Sequence, residues 1–251
     1  MLTLMLQTRK GWSVLVMAGV LVMLAAQWTT ADSQAHNGSH GEHAKADHVS
    51  KKSAKLHSLP YILATDPVSG KLLPPHDKQI IVQYEGRELR FASHDTHKKF
   101  MADPDKYLKN IDRQLIGLQM PYYPLSNCMI SGEKLGGEMG EPVDYLYKNR
   151  LIRFCCQGCK KDFLKENNRG RYLTQLDEAV IAKQKPVYPL KTCVVSGEEL
   201  ASMDEPIDHV VGNRLIRFCC QQCVKHFNKE PAKYMQMLDQ SVKSHGKQHA
   251  H

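Results

Sequence analysis

No cysteine precedes Cys128, no acidic residue precedes Asp32, and the 251-residue chain holds only two tryptophans. The first absence excludes a lipid anchor on an N-terminal cysteine. The second leaves Arg9 and Lys10 as the only charged groups in residues 1–31. They stand ahead of an uncharged stretch, 11–28, whose apolar centre is 14–26. Basic residues, an apolar run and then small residues form the pattern of an export signal, with Thr29-Thr30-Ala31 or Ser33-Gln34-Ala35 as the cleavage site. Residues 1–31 are therefore expected to be a signal peptide. They are an N-terminal anchor instead if uncleaved, because the uncharged stretch approaches a membrane-spanning length. Either form puts the rest of the chain outside the cytoplasm, periplasmic or secreted, and touching a membrane only through an uncleaved anchor.

Catalytic signatures are missing too. There is no Ser–His–Asp order, no glycine-rich phosphate loop and no paired-carboxylate motif, so an enzyme is not expected. The one catalytic option is thiol–disulfide exchange. The formal charge of +8 falls to +6 once Arg9 and Lys10 are removed, and the charges are spread along the chain. That distribution reads as a solvated basic surface rather than a nucleic-acid footprint.

Two segments lack any apolar period. Residues 32–57 are polar and carry His36, His40, His43, His48 and His57, which predicts a disordered His-rich linker. Residues 241–251, with His245, His249 and His251, read as a similar tail with no helix implied. Both could hold Zn(II), Cu(II) or Ni(II) weakly through imidazole, although solubilising tails explain them as well.

Between these segments the sequence repeats three times. Tyr61-Ile-Leu-Ala-Thr-Asp66-Pro-Val-Ser-Gly70 returns as Tyr123-Pro-Leu-Ser-Asn-Cys128-Met-Ile-Ser-Gly132 and as Tyr188-Pro-Leu-Lys-Thr-Cys193-Val-Val-Ser-Gly197. Each copy continues with two alternating segments around a short turn. The turns are Glu85-Gly86-Arg87, Lys148-Asn149-Arg150 and Gly212-Asn213-Arg214, and each predicts a β-hairpin. A helix follows each hairpin, because Phe91 and Phe100, Phe154 and Phe163, and Phe218 and Phe227 keep the same spacing. Pro104 and Pro231 then suit the first turn of a second helix. The expected fold class is α+β. Three tandem hairpin-plus-helix units occupy 58–112, 121–178 and 186–240, with short connectors at about 113–120 and 178–185. Units this small bury little surface alone and are expected to pack on one another.

Six of the eight cysteines lie in two matching runs, Phe154-Cys155-Cys156-Gln-Gly-Cys159 and Phe218-Cys219-Cys220-Gln-Gln-Cys223. Cys128 and Cys193 stand upstream in equivalent loops. Spacings of three and four put side chains on one helical face, and a helix start favours the thiolate. The candidate metal ligands are therefore Cys128, Cys155 and Cys159, with Cys156 as a fourth, and Cys193, Cys219 and Cys223, with Cys220 as a fourth. Such sets suit Cu(I), Zn(II), Cd(II) or Hg(II), with Zn(II) or Cu(I) favoured. Disulfide bonding in an oxidising compartment and C-x-x-C redox chemistry remain open. So does a structural zinc. Met129, Met139, Met203, Met235 and Met237 could add thioethers to Cu(I), but their apolar positions fit packing.

Copy one, through Asp66-Pro-Val-Ser-Gly70, Tyr84-Glu-Gly-Arg-Glu-Leu-Arg-Phe91 and Lys98–Leu108, resembles a YHS domain. Copies two and three resemble the related TRASH layout of a Cys followed by Cys-x3-Cys. The resemblance covers residues from about 60 to 240. It implies small treble-clef-like metal-binding modules of the kind found in heavy-metal sensing and transport. Together with the export pattern, the thiol sets and the spread charge, it gives the expectation of an exported, non-catalytic protein for metal sequestration, sensing or delivery, with a metal ion as partner, another envelope protein as an option, and no nucleic acid. The alternative is an envelope interaction module. Ser69, Ser131 and Ser196 stand where the YHS motif carries its cysteine. Copy one has Ala92 and Thr96 in place of the two helix cysteines, so it holds no thiol at all. Asp66, His94 and His97 then make either a hard-metal site or a purely structural unit.

Overall fold

Positive φ at two successive residues folds each hairpin. Glu85 and Gly86 (49° and 74°), Lys148 and Asn149 (47° and 70°), and Gly212 and Asn213 (55° and 59°) form two-residue turns of the kind that match strand twist. The turns are one residue shorter than the sequence pattern implies, since Arg87, Arg150 and Arg214 already pair with Tyr84, Tyr147 and Val211. The computed structural model describes residues 59–165, 167, 169–202 and 205–248. The expected signal or anchor, the linker and the last three residues lie outside the described residues. Among the described residues no helix is long and apolar enough to cross a membrane.

Three α+β units follow one another. Unit one has β1 (Ile80–Tyr84), β2 (Arg87–Phe91), α1 (His94–Ala102) and α2 (Pro104–Gln119). Unit two has β3 (Val143–Tyr147), β4 (Arg150–Phe154), α3 (Gln157–Lys165) and α4 (Arg169–Gln184). Unit three has β5 (Ile207–Val211), β6 (Arg214–Phe218), α5 (Gln221–Lys229) and α6 (Pro231–Gln248). Each sheet is one antiparallel pair.

The six phenylalanines are all fully buried. Within each unit the strand Phe meets the helix Phe at ring centroids of 5.2, 5.5 and 5.4 Å. That contact holds the short helix on its hairpin. The second helix is then tied to the hairpin by an ion pair the spacing does not reveal: Arg87–Asp112, Arg150–Asp177 and Arg214–Asp239.

At the first junction the expected connector is not a loop, and at the second the helix crosses as the apolar-patterned run 173–181 predicts. Residues 113–119 and 178–184 continue the second helix, which packs on the hairpin of the next unit. The reason is a side-chain clamp at the helix end. Gln119 donates from Nε2 to Asn149 O (2.9 Å) and accepts from Leu151 N (2.8 Å). Gln184 does the same with Asn213 O and Leu215 N, both at 2.9 Å. The tail expectation also fails over 241–248, where no proline or early glycine stops α6.

The turn asparagines complete the joints. Asn149 Nδ2 donates to Glu88 O of unit one (2.7 Å), and Asn213 Nδ2 donates to Leu151 O of unit two (2.9 Å). Arg87 and Arg150 donate in return to their side-chain oxygens, each at 3.0 Å. Units one and three also meet. Arg90 donates to the carbonyls of Asn228 and Lys229 at the end of α5. Gly212 lies so near Ile62 that an added Cβ would come within 2.7 Å of its Cδ1.

These joints predict a measurable loss. Asn213→Gly keeps the positive φ but leaves Leu151 O and the Arg150 guanidinium short of partners in a buried site. Chemical denaturation is expected to show a loss of about 2 kcal/mol.

Candidate metal centre

A knuckle supplies the first sulfur of each centre. Cys128 N donates to Glu133 O (2.7 Å) and Gly132 N donates back to Cys128 O (2.8 Å). The turn needs positive φ at Gly132, 79°. Cys193, Glu198 and Gly197 repeat it at the same distances. The second sulfur, Cys155 or Cys219, follows the last strand residue directly, and the third, Cys159 or Cys223, lies in the first turn of α3 or α5.

These elements bring Cys128, Cys155 and Cys159 together, and likewise Cys193, Cys219 and Cys223, with all sulfurs of a set within 4.8 Å of one another and all six residues buried. Cys155 and Cys159 Sγ are 3.6 Å apart, and Cys219 and Cys223 Sγ 3.7 Å. Tetrahedral thiolate zinc, with Zn–S near 2.3 Å, would space its sulfurs by about 3.8 Å. The eight cysteines form no disulfide. Cys156 and Cys220 stand outside the two sets, half-buried before the helix starts, with Cys220 Sγ 3.7 Å from Cys223 Sγ.

The knuckle is also an anion nest. Burial raises the pKa of Cys128, but the N–H groups of Ser131, Cys155 and Ile130 and the Ser131 hydroxyl outweigh it and bring the thiol down to about 7. Cys193 comes down to about 7 in the same way, through Ser196, Cys219 and Val195. The helix thiols move the other way. Burial and the neighbouring thiols push Cys159 and Cys223 up to about 12. Each set thus holds a thiolate-prone sulfur, Cys128 or Cys193, beside a protonated one, Cys159 or Cys223, and a soft cation entering it displaces protons. Ser131 and Ser196 sit beside the second sulfur as well, Oγ to Sγ at 3.3 and 3.4 Å. The sequence marks these serines as departures from a motif, and Ser131-Gly132 as a tight knuckle; the structure makes them part of the nest.

Unit one shows the same nest with different occupants. The knuckle is preserved, with Gly70 N to Asp66 O at 2.9 Å and Asp66 N to Lys71 O at 2.8 Å. Asp66 stands at the Cys128 position and is 1% exposed. Oδ1 accepts from Val68 N (2.9 Å), Ser69 N (2.8 Å) and Ser69 Oγ (3.1 Å). Oδ2 accepts from Ala92 N and Thr96 Oγ1, both at 2.7 Å. Ala92 and Thr96 are the counterparts of Cys155 and Cys159. The hard-metal option for Asp66, His94 and His97 finds no support, because both carboxylate oxygens are taken by donors and the metal-sized groups among the described residues are the two thiol sets. His97 instead packs its ring on Phe91 at 5.2 Å.

Of the candidate methionines, Met235 is buried core, Met129 packs against the core, Met139 and Met237 are exposed, and Met203 lies outside the described residues. Compared with protein-family models, with curated proteins and with solved structures, the chain matches none.

Proposed function

We propose that the protein binds two soft or borderline metal ions, one in each thiol set, as an exported and non-catalytic metal-binding protein that sequesters, senses or delivers Cu(I) or Zn(II). The observation that carries this reading is the comparison of the three nests. In unit one a carboxylate fills the nest and hydrogen bonds close it. In units two and three the same positions carry three sulfurs at ligand spacing, and no hydrogen-bond closure of that strength replaces them. The fold is complete in unit one without any thiol, so holding the fold together does not explain three sulfurs placed twice. The TRASH-like order of Cys and Cys-x3-Cys agrees with this reading. Three sulfurs suit Cu(I) directly, and Zn(II) would take a fourth ligand from solvent or from a partner.

The test is metal content. The chain purified under reducing conditions and offered Zn(II) or Cu(I) is expected to hold two ions in native mass spectrometry. The variant with Cys155, Cys159, Cys219 and Cys223 all changed to Ala is expected to hold none. Failure of the unchanged chain to bind either ion, or binding that survives the fourfold change, overturns the proposal.

A further inference from the structure

Cys156 and Cys220 occupy a position where a thiol is a poor choice for the helix. Cys220 is the N-cap of α5, yet its side chain makes no cap hydrogen bond. The counterpart in unit one is Ser93, whose Oγ accepts from Thr96 N (3.2 Å) while Thr96 Oγ1 accepts from Ser93 N (3.3 Å), a full capping box. Loss of such a cap costs a helix about 1 kcal/mol. In unit three the thiol therefore stands where a serine would cap the helix, and Cys156 holds the same place in unit two.

Its placement indicates what it does there. The triad sulfurs are buried, whereas Cys156 and Cys220 are only half-buried. Cys223 is the shared neighbour: its Sγ lies 3.7 Å from Cys220 and 3.7 Å from Cys219. A line of sulfurs thus runs from the surface through Cys220 and Cys223 to the buried pair. A soft metal ion reaching this protein as a thiolate complex would need such a line, because each ligand must be gained before another is released.

We propose that Cys156 and Cys220 are transfer thiols that take a soft metal ion from a thiolate donor and pass it to the buried triad. The inference rests on the metal-binding reading above. In the first step the Cys220 Sγ–metal bond forms as a donor sulfur–metal bond breaks, and the thiol proton leaves on the donor sulfur. In the second, Cys223 Sγ takes the metal and its proton passes to the departing Cys220 sulfur, which restores the Cys220 thiol. Cys219 and the Cys193 thiolate then displace the last donor sulfur, with the Cys219 proton released to it. The metal keeps its oxidation state throughout. Cys156, Cys159, Cys155 and Cys128 perform the same sequence in unit two.

The experiment compares the unchanged chain with Cys156→Ser/Cys220→Ser, which places in both units the residue that caps α1. Anaerobic Cu(I)–glutathione is the donor probe, and loading is followed by copper–thiolate ultraviolet absorbance. The variant is expected to load at least about tenfold more slowly. It is expected to reach the same two ions per chain and the same affinity in competition with a Cu(I) chelator. Loading from hydrated Zn(II), which needs no thiolate donor, is expected to be unchanged. Equal Cu(I) loading rates overturn the proposal, and so does a fall in stoichiometry or affinity, which makes the two thiols resident ligands. Equal slowing for Zn(II) overturns it as well, as a general distortion of the site. If the unchanged chain takes up neither ion, it is the metal-binding reading that has failed, and this inference falls with it.

Discussion

Replacing Asp66, Ala92 and Thr96 together by cysteine is expected to raise the bound metal from two ions per chain to three. The knuckle around Asp66 already has the hydrogen bonds of the Cys128 and Cys193 knuckles, and Gly70 has the same positive φ, 69°. Its nest directs the N–H groups of Val68, Ser69 and Ala92 at the residue in position 66. The matching N–H groups of Ile130, Ser131 and Cys155 lower Cys128. What unit one lacks for metal is only sulfur. Native mass spectrometry after Zn(II) or Cu(I) loading reads the result directly. A triple variant that folds and still holds two ions would show that backbone geometry alone does not make the site.

The single change Asp66→Ala is the informative control, because it empties the nest without refilling it. Three backbone N–H groups and the Thr96 hydroxyl then lose their acceptor, at a cost of about 3 kcal/mol or more in denaturation. The carboxylate's contribution also has a pH sign. Burial raises the Asp66 pKa, but the bonds from Ala92, Ser69, Thr96 and Val68 outweigh it, so the folded value lies below the ordinary one. Its stabilising effect is complete above the unfolded value of about 4 and is lost as the pH falls through the lower folded value.

Much of this arrangement is legible in the residues. The repeated Phe spacing placed each short helix against its hairpin, and Cys128 with Cys155 and Cys159 is a ligand pattern before any coordinates are consulted. What the pattern hides is whatever depends on a neighbouring unit. Nothing within unit one marks Gln119 as the clamp at the end of α2, because its partners are backbone groups of Asn149 and Leu151 in unit two. The same holds for Asn149 and Asn213, which look like ordinary turn residues and are also the joints between units. Asp112, Asp177 and Asp239 recur at a fixed distance after a tyrosine, but their arginine partners are fixed only once the second helix folds back on the hairpin. The nest is hidden for a similar reason. The serine at 131, where the motif has cysteine, reads as a loss until its N–H and hydroxyl are seen facing the sulfurs.

One buried group weakens the folded state in mild acid. In units one and two, Tyr84 and Tyr147 stand edge-on to the helix phenylalanine, at 5.1 and 5.4 Å. Unit three has Val211 at that position, and His209, on the same strand face, takes over the edge-on contact with Phe227 at 6.0 Å. The ring is 4% exposed, sits against Phe218 as well, and its Nε2 has no partner. Burial lowers its pKa to about 4, against the weaker opposing pull of the Asp177 charge. The folded state thus keeps His209 neutral where the unfolded chain would protonate it. Its effect is absent above the unfolded value near 6.5, and stability falls as the pH drops from there towards 4, by about 3 kcal/mol in all. His209→Phe preserves the edge-on contact and removes the titration. Urea denaturation at pH 7, 5.5 and 4.5 is expected to show the variant losing about 2 kcal/mol less than the unchanged chain over that range, while the two differ little at pH 7. Asp66 and the other carboxylates titrate in both proteins and cancel in the comparison. Parallel stability curves would mean that the folded core accepts the protonated ring.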